Sequence, residues 1–145
     1  MITIICSNLN SLNWIDGYLE CINTQFYEVF EIQFIDGGST DGSWERIKRF
    51  EFRKGIECFY TQENHCSIYK AWNIGYNKSN TEYCINVNTD DRLFPNGLEI
   101  MAVYAKKYKD IDVFYSPCLI TDNKDHGNYS GIYDWPDFSK GELLK

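Results

Sequence analysis

The sequence has no apolar run near the roughly 18 residues that a membrane span requires. Its first apolar run, ITIIC, is also too short for the apolar part of a signal peptide. Positive charge is scarce too, because 14 Lys and Arg stand against 21 Asp and Glu, a formal net charge of -7. Binding to a nucleic-acid backbone needs clustered Lys and Arg. We therefore expect no membrane span in this chain and no nucleic-acid partner.

Histidine is rare, and no cysteine pair has a metal-like spacing. The two histidines, His65 and His126, have no His or Cys nearby at a spacing typical of zinc ligands, so a zinc site is not expected. None of the six cysteines forms a C-x-x-C pair, and Cys6, Cys58 and Cys84 fall within strand-like runs, where a free thiol behaves as a small apolar side chain. We predict reduced thiols, which are typical of a cytoplasmic protein.

Strand-like and helix-like segments alternate along a chain whose 145 residues are enough for one domain. The helix after the first strand is indicated by Leu12, Ile15, Leu19 and Ile22, which share the spacing of one helical face. Such alternation predicts an α/β fold with a mostly parallel sheet, in a single domain over residues 1–145. The predicted strands are 2–8, 30–35, 56–60, 82–87 and 112–120, and the predicted helices are 12–25, 43–54, 67–78 and one that Pro95 opens.

Polar residues follow three of the predicted strands. They are Ser7 to Asn10 after the first strand, Asp36 to Asp41 after the second and Thr89 to Asp91 after the fourth. Ligands of parallel sheets bind beyond the carboxyl ends of the strands. We therefore expect these three segments to meet at one edge of the sheet and to form the site.

The stretch FIDGGSTDGS at 34–43 has a structural and a functional interpretation. As a tight turn, it would place Gly37 and Gly38 at positive φ and use Asp41 or Ser43 to cap the next helix. As a binding loop, it would present Asp36 to a nucleobase or a ribose. It is not the G-x-G-x-x-G loop of a dinucleotide-binding fold.

Two adjacent carboxylates, Asp90 and Asp91, follow the strand-like run YCINV. They could form a solvated turn. Their mutual repulsion and their position instead favour a divalent cation, since Mg²⁺ binds through one or two carboxylates together with substrate phosphates. Lys70 on the third helix is either a solvated side chain or, if that helix begins at the cleft, a phosphate contact.

Taken in order, ITIICSNLN, EIQFIDGGSTDGS and SIYKAWNIGYNKSNTEYCINVNTDD resemble the inverting nucleotide-sugar glycosyltransferases of glycosyltransferase family 2. The resemblance covers nearly the whole chain. It implies the GT-A fold, a Rossmann-like βαβ sandwich. It also implies inverting transfer of a sugar from a nucleoside-diphosphate sugar to a hydroxyl of a glycan, lipid-linked or other acceptor, with Mn²⁺ or Mg²⁺ as cofactor.

The same resemblance implies the site residues. Thr89, Asp90 and Asp91 would form a D-x-D-like metal motif. In it Asp91 is the expected direct ligand, and Asp90 is a ribose or sugar contact as well as the second candidate ligand. The residues implied around the base and ribose are Ser7, Leu9, Asp36 and Gly37.

The sequence departs from the family pattern at four positions. An aromatic residue is usual at Leu9, a second acid at Gly37, and an Asp often stands at the positions of His65 and Lys70. Family members also continue into an acceptor-binding half that supplies the catalytic base, which we expect beyond Lys145. Four acids before that point are candidates by default only: Asp122, Asp125, Asp134 and Asp137.

Two other functions fit the same pattern. A non-catalytic nucleotide-sugar-binding module, or a half-enzyme without its base, would share the cleft but would bind donor without transfer. A flavodoxin-like or other doubly wound binding protein would explain the alternation of strands and helices. It would not explain the position of Thr89 to Asp91.

Overall fold

A computed structural model describes residues 1–121 and 129–133 of the chain. Two compact units are present, Met1–Lys109 and Asp110–Lys145, and the predicted single domain stays a prediction. The strands of the first unit are β1 (Ile2–Asn8), β2 (Phe30–Asp36), β3 (Ile56–Gln62) and β4 (Tyr83–Asn86), and its helices are α1 (Leu12–Asn23), α2 (Ser43–Arg49), α3 (Ile68–Lys78) and α4 (Gly97–Lys107).

The four strands of the first unit form one parallel sheet in the order β3-β2-β1-β4. The predicted α/β architecture with a mostly parallel sheet is therefore confirmed. The chain builds outward from β1 to β3 and then returns to place β4 on the other side of β1. The strand order thus reverses between β1 and β4, and in α/β sheets a ligand cleft opens at such a point.

The main hydrophobic core lies between one face of the sheet and helices α1, α2 and α4. Three of the four predicted core positions of α1, Ile15, Leu19 and Ile22, are fully buried, whereas Leu12 begins the helix and is 49% exposed. Helix α3 packs on the other face of the sheet. A Cβ at Gly75 would lie 2.5 Å from Cγ2 of Ile5, so this helix approaches the sheet closely.

Helix α2 ends five residues before the predicted stop at Lys54. Phe50 leaves the helix in an extended conformation (φ -72, ψ 129). Phe50 and Phe52 both pack against the main core, with ring centroids 4.7 Å apart. Residues two positions apart lie on different faces of a helix. Burying both rings therefore requires an extended segment here.

The described part of the second unit contains a two-stranded antiparallel sheet, β5 (Cys118–Thr121) and β6 (Tyr129–Tyr133), preceded by residues 110–117 without helix or strand. The strand predicted over 112–120 is thus wrong for 112–117 and right for its last three residues. Pro117 directly precedes β5, and proline has no N–H to donate to a strand partner. An apolar run alone did not indicate that the partner of this strand is antiparallel.

All six cysteines are free thiols, as predicted. Over residues 1–121 and 129–133, no helix combines the length and the apolar character of a membrane span.

Candidate functional site

A cleft of about 290 Å³ opens at the carboxyl ends of the strands that flank the reversal point. It is lined by the end of β1 and its loop, the residue after β2, the start of α3 and the loop after β4. Of the predicted site residues, Ser7, Leu9, Gly37 and Asp90 line this cleft, as does Thr89. The other lining residues are Asn8, Cys66, Ile68, Ala71 and Asn88.

Gly37 brings the loop after β2 against the loop after β1. Its N–H donates to the main-chain oxygen of Asn8 at 2.8 Å, and a Cβ at this position would lie 3.3 Å from the main-chain oxygen of Cys66. A side chain here would therefore crowd the cleft wall. Positive φ was predicted for Gly37 and Gly38, but only Gly38 (φ 96) has it, and the second such glycine of the loop is Gly42 (φ 91).

Asp36 is fully buried, and both of its carboxylate oxygens accept hydrogen bonds from the chain. Oδ1 accepts from Asn8 Nδ2 at 2.7 Å and from Ser39 Oγ at 2.6 Å. Oδ2 accepts from the N–H groups of Gly38 and Ser39, both at 3.0 Å, and from Gln62 Nε2 at 2.9 Å. Burial alone would raise the pKa of Asp36, but these hydrogen bonds outweigh it and lower the pKa. The carboxylate therefore fixes the loop that follows β2.

Asn8 lies in the segment Ser7 to Asn10, which was predicted to form part of the site, but no individual role was predicted for it. Its Nδ2 lies 3.1 Å from Ser43 Oγ as well as near Asp36, and its Oδ1 accepts a short hydrogen bond from Ser11 Oγ. The alternation of side chains along β1 could have identified Asn8. It shares a sheet face with Ile4 and Cys6, which belong to the main core. A polar residue at such a buried position needs hydrogen-bond partners.

Asp41 joins the starts of two helices. Its Oδ1 accepts from the Ser43 N–H at 2.9 Å and from Ser43 Oγ at 2.6 Å, and its Oδ2 accepts from the Leu12 N–H of α1 at 2.8 Å. The prediction that Asp41 or Ser43 caps the second helix is wrong, because the N-cap of α2 is Gly42 and no cap side chain donates or accepts there. Asp41 stands one residue before the cap and accepts from the first N–H of the helix instead. The same carboxylate also serves α1, so it holds the two cleft loops at a fixed distance.

Asp90 and Asp91 are exposed neighbours in the loop after β4. The pKa of Asp91 is raised, because its carboxyl group is partly buried and because the charge of Asp90 lies next to it. Hydrogen bonds with Asn88 oppose this rise. Within the described residues, no salt bridge joins either carboxylate to a cationic side chain. Nor do these residues include a cluster of three or more His, Cys, Asp or Glu that could hold a metal ion. A cation bound by this pair would therefore need further ligands from a bound molecule.

Arg92 follows the acidic pair directly and was not among the predicted site residues. Its guanidinium donates to the main-chain oxygens of Thr89 at 2.9 Å, Asp91 at 2.7 Å and Trp14 at 3.0 Å. It therefore connects the loop after β4 to α1. The sequence feature that could have identified Arg92 is its position, because a cationic residue directly after two carboxylates is the nearest candidate for a counter-charge.

Lys70 lies in the first turn of α3, and its Nζ is 2.6 Å from Glu63 Oε1 in an exposed ion pair. Helix α3 starts at the cleft, because Ile68 and Ala71 line it. Ser67 is the N-cap, and its side chain accepts from the Lys70 N–H at 3.3 Å. The condition under which Lys70 could reach a bound phosphate is thus met, while the contact itself stays a prediction.

The family model for glycosyl transferase family 2 matches residues 3–142, nearly the whole chain. The chain belongs to glycosyltransferase family 2. Among curated relatives, glycosyltransferase GlyG of Streptococcus pneumoniae serotype 4 is 29% identical over 143 residues, which are 99% of this chain and 47% of GlyG. Glycosyltransferase GlyA of the same organism is 30% identical over 118 residues, 79% of this chain and 17% of GlyA.

The fold of this family 2 chain is also similar to a crystal structure of residues 1–349 of TarS from S. aureus in complex with UDP. The TM-score is 0.68 at 20% identity, over 74% of this chain and 32% of that one. The GT-A fold is thereby confirmed. The chain spans less than half the length of the relatives named here. The four default candidates for the base, Asp122, Asp125, Asp134 and Asp137, lie outside the described residues.

Proposed function

We propose that this chain carries the donor-binding cleft of a metal-dependent glycosyltransferase. The enzyme would transfer a sugar, with inversion, from a nucleoside-diphosphate sugar to an acceptor hydroxyl. The observation that carries the proposal is that Ser7, Leu9, Gly37 and Asp90 of a family 2 chain line one cleft at the reversal point of its sheet. TarS, similar in fold, was solved with UDP and with UDP-GlcNAc, which supports a nucleotide donor here.

In this proposal, the base and ribose lie against Ser7, Leu9 and Gly37. Leu9 is 58% exposed, so its side chain is available to pack on a flat base. Asp36 belongs to the same set through the loop that it fixes, because both of its oxygens already accept hydrogen bonds within the chain. Lys70 faces the diphosphate and would exchange its contact with Glu63 for one with a phosphate oxygen.

The acidic pair fits Mn²⁺ or Mg²⁺. Asp91 is the proposed direct ligand, and Asp90 is the proposed sugar or ribose contact and second candidate ligand. Both are hard oxygen donors, and neither has a salt-bridge partner in the described part of the chain. When bound, the divalent ion would neutralise charge on the diphosphate leaving group.

Inversion implies a single displacement. The acceptor oxygen forms a bond to the anomeric carbon while the bond from that carbon to the diphosphate oxygen breaks, and the hydroxyl proton passes to a general base. Such a base typically contributes about 10² to 10⁴ in rate. No residue described here is assigned to that role. The residues of this chain bind and orient the donor.

The acceptor is proposed as a hydroxyl of a glycan, a lipid-linked acceptor or another molecule. A cytoplasmic location is proposed with it. The support is that all six cysteines are free thiols, which persist in a reducing compartment.

Calorimetry tests the proposal. UDP, GDP and dTDP would each be titrated into the protein in MnCl₂, in MgCl₂ and in EDTA. We expect at least one nucleotide to bind only with a divalent ion. The control is Glu20→Gln, which removes one carboxylate from an exposed position on α1 and should leave affinity unchanged. Binding that is the same in EDTA, or no binding at all, would contradict the proposal. Donor binding without hydrolysis or transfer in any acceptor screen would favour a binding module instead.

A further inference from the structure

The Arg92 guanidinium contacts the main chain of two segments, the loop that carries Asp90 and Asp91 and helix α1. Two of its hydrogen bonds go to the loop after β4, at Thr89 O and Asp91 O, and the third goes to Trp14 O in α1. These two loop oxygens flank Asp90. The planar guanidinium therefore holds the peptide group that precedes Asp90 and the peptide group that follows Asp91.

Helix α1 has a gap where the guanidinium lies. Gly17 is in the interior of α1, and a Cβ at this position would lie 2.7 Å from Nη2 of Arg92. Glycine inside a helix costs about 1 kcal/mol relative to alanine. The space that Gly17 leaves is filled by the Arg92 side chain.

We propose that Arg92 is a positioning residue that sets the direction of the Asp90 and Asp91 carboxylates, and that Gly17 provides the space it needs. The inference rests on the proposed function, since it assigns Arg92 to the site where the metal and the diphosphate would bind. Residues that hydrogen-bond to a metal-binding segment hold the orientation of its ligands, and their loss typically weakens metal binding about 10- to 100-fold.

The charge of Arg92 predicts the opposite effect from its geometry. Removing a positive charge next to two carboxylates makes the loop more negative, so charge alone would strengthen cation binding. Loss of orientation would weaken it. The direction of the change on substitution therefore separates the two roles.

The chain offers a matched control. Arg53 also donates to three main-chain oxygens, those of Asn23 at 2.9 Å, Gln25 at 2.7 Å and Tyr27 at 2.8 Å, at the C-terminal end of α1. Arg92→Ala and Arg53→Ala should both lower the free energy of unfolding in urea. Only Arg92→Ala should weaken Mn²⁺-dependent UDP binding, by about 10- to 100-fold. Arg92→Lys keeps the positive charge but lacks the planar set of N–H donors, so it should not restore the affinity.

Gly17→Ala is the second variant, and it does not touch the loop itself. Alanine raises helix propensity by about 1 kcal/mol, which offsets part of what the disturbed Arg92 hydrogen bonds cost, so the variant should lose less free energy of unfolding than Arg92→Ala. Its methyl group would displace the end of the Arg92 side chain and should weaken Mn²⁺-dependent UDP binding in the same direction as Arg92→Ala. A structural role alone predicts no such loss.

Hydrogen exchange without ligand distinguishes failure of this inference from failure of the proposed function. Arg92→Ala and Gly17→Ala should raise exchange in a peptide covering residues 88–91, and Arg53→Ala should not. A parent protein that binds no nucleotide would refute the proposed function, while the exchange data would still decide whether Arg92 orders the loop. Unchanged exchange, or a parent that binds UDP with the affinity of Arg92→Ala, would overturn the positioning role.

Discussion

Asn8 and Asp36 are direct neighbours at the ends of β1 and β2, and Nδ2 of Asn8 lies 2.7 Å from Oδ1 of Asp36. The contact is buried and charge-assisted, so it is stronger than a neutral hydrogen bond. It ties together the two loops that carry Leu9 and Gly37. The shape of the cleft therefore depends on this buried polar pair, of which Asn8 also lines the cleft.

Asp36→Asn should destabilise the protein by about 2 to 4 kcal/mol. The amide keeps the shape, but its NH₂ group cannot accept the hydrogen bonds that one carboxylate oxygen now receives, and donors are left unpaired in a buried site. Urea unfolding measures the loss. Asp16→Asn is the control, because it removes an exposed carboxylate paired with Arg46 and should cost less than about 1 kcal/mol. Equal stabilities for the two variants would contradict the assigned role.

Asp36 should also make stability depend on acid pH. Hydrogen bonds lower its pKa in the folded protein, so the unfolded chain binds this proton at a higher pH. The stabilisation is complete above the unfolded pKa of about 3.9 and is lost as the pH falls through the lower folded pKa. Urea midpoints between pH 6 and pH 3 should therefore fall less steeply for Asp36→Asn than for the parent. Parallel curves for the two proteins would show that Asp36 does not contribute.

Local pattern predicted the first unit well where burial and periodicity agree. The bounds of β1, Ile2–Asn8, match the prediction, and α3 differs by one residue at its start. The errors occur where distant packing decides. Helix α2 is short because the rings of Phe50 and Phe52 both turn into the core, and β5 pairs with β6 in an antiparallel hairpin. No local periodicity specifies either partner.

The site was predicted in part for a related reason. Polar residues after parallel strands identify the edge where a cleft opens, and Ser7, Leu9, Gly37 and Asp90 do meet there. The supporting contacts were not predictable from those segments taken separately. Arg92 donates to one main-chain oxygen of another element, that of Trp14, 78 residues earlier in the chain. The pattern of side chains along a segment does not indicate such a contact.

Lys70→Gln should weaken nucleoside diphosphate binding without a matching effect on stability. The present ion pair with Glu63 is exposed, so its loss alone has little effect on folding. Lys78→Gln is the control, since Lys78 lies at the other end of α3 and donates to Thr61 Oγ1 at 2.8 Å. Titrations of UDP against free uridine identify the contact, because a phosphate role affects only the diphosphate. Equal losses for both ligands would place Lys70 outside the phosphate site.

The last prediction concerns Asp91→Asn. If Asp91 is the direct metal ligand, the amide removes a negative charge from the cation site, and Mn²⁺-dependent nucleotide affinity should fall more than tenfold, which corresponds to 1.4 kcal/mol or more. Stability without metal should not fall. Asp90 and Asp91 repel each other, and the Asn88 N–H, 3.4 Å from Asp91 Oδ2, can donate equally to an amide oxygen.

The competing role for Asp91 is a structural one in the turn. In that case its substitution should cost about 0.5 to 2 kcal/mol of stability and leave nucleotide affinity nearly unchanged. Melting curves with and without Mn²⁺ and UDP measure both quantities on the same samples, with Glu20→Gln as the variant that removes one charge elsewhere. A direct ligand predicts that the parent gains thermal stability from Mn²⁺ and UDP together and that Asp91→Asn gains much less. An Asp91→Asn protein that melts lower than the parent yet gains as much from the ligands would refute the proposed metal site.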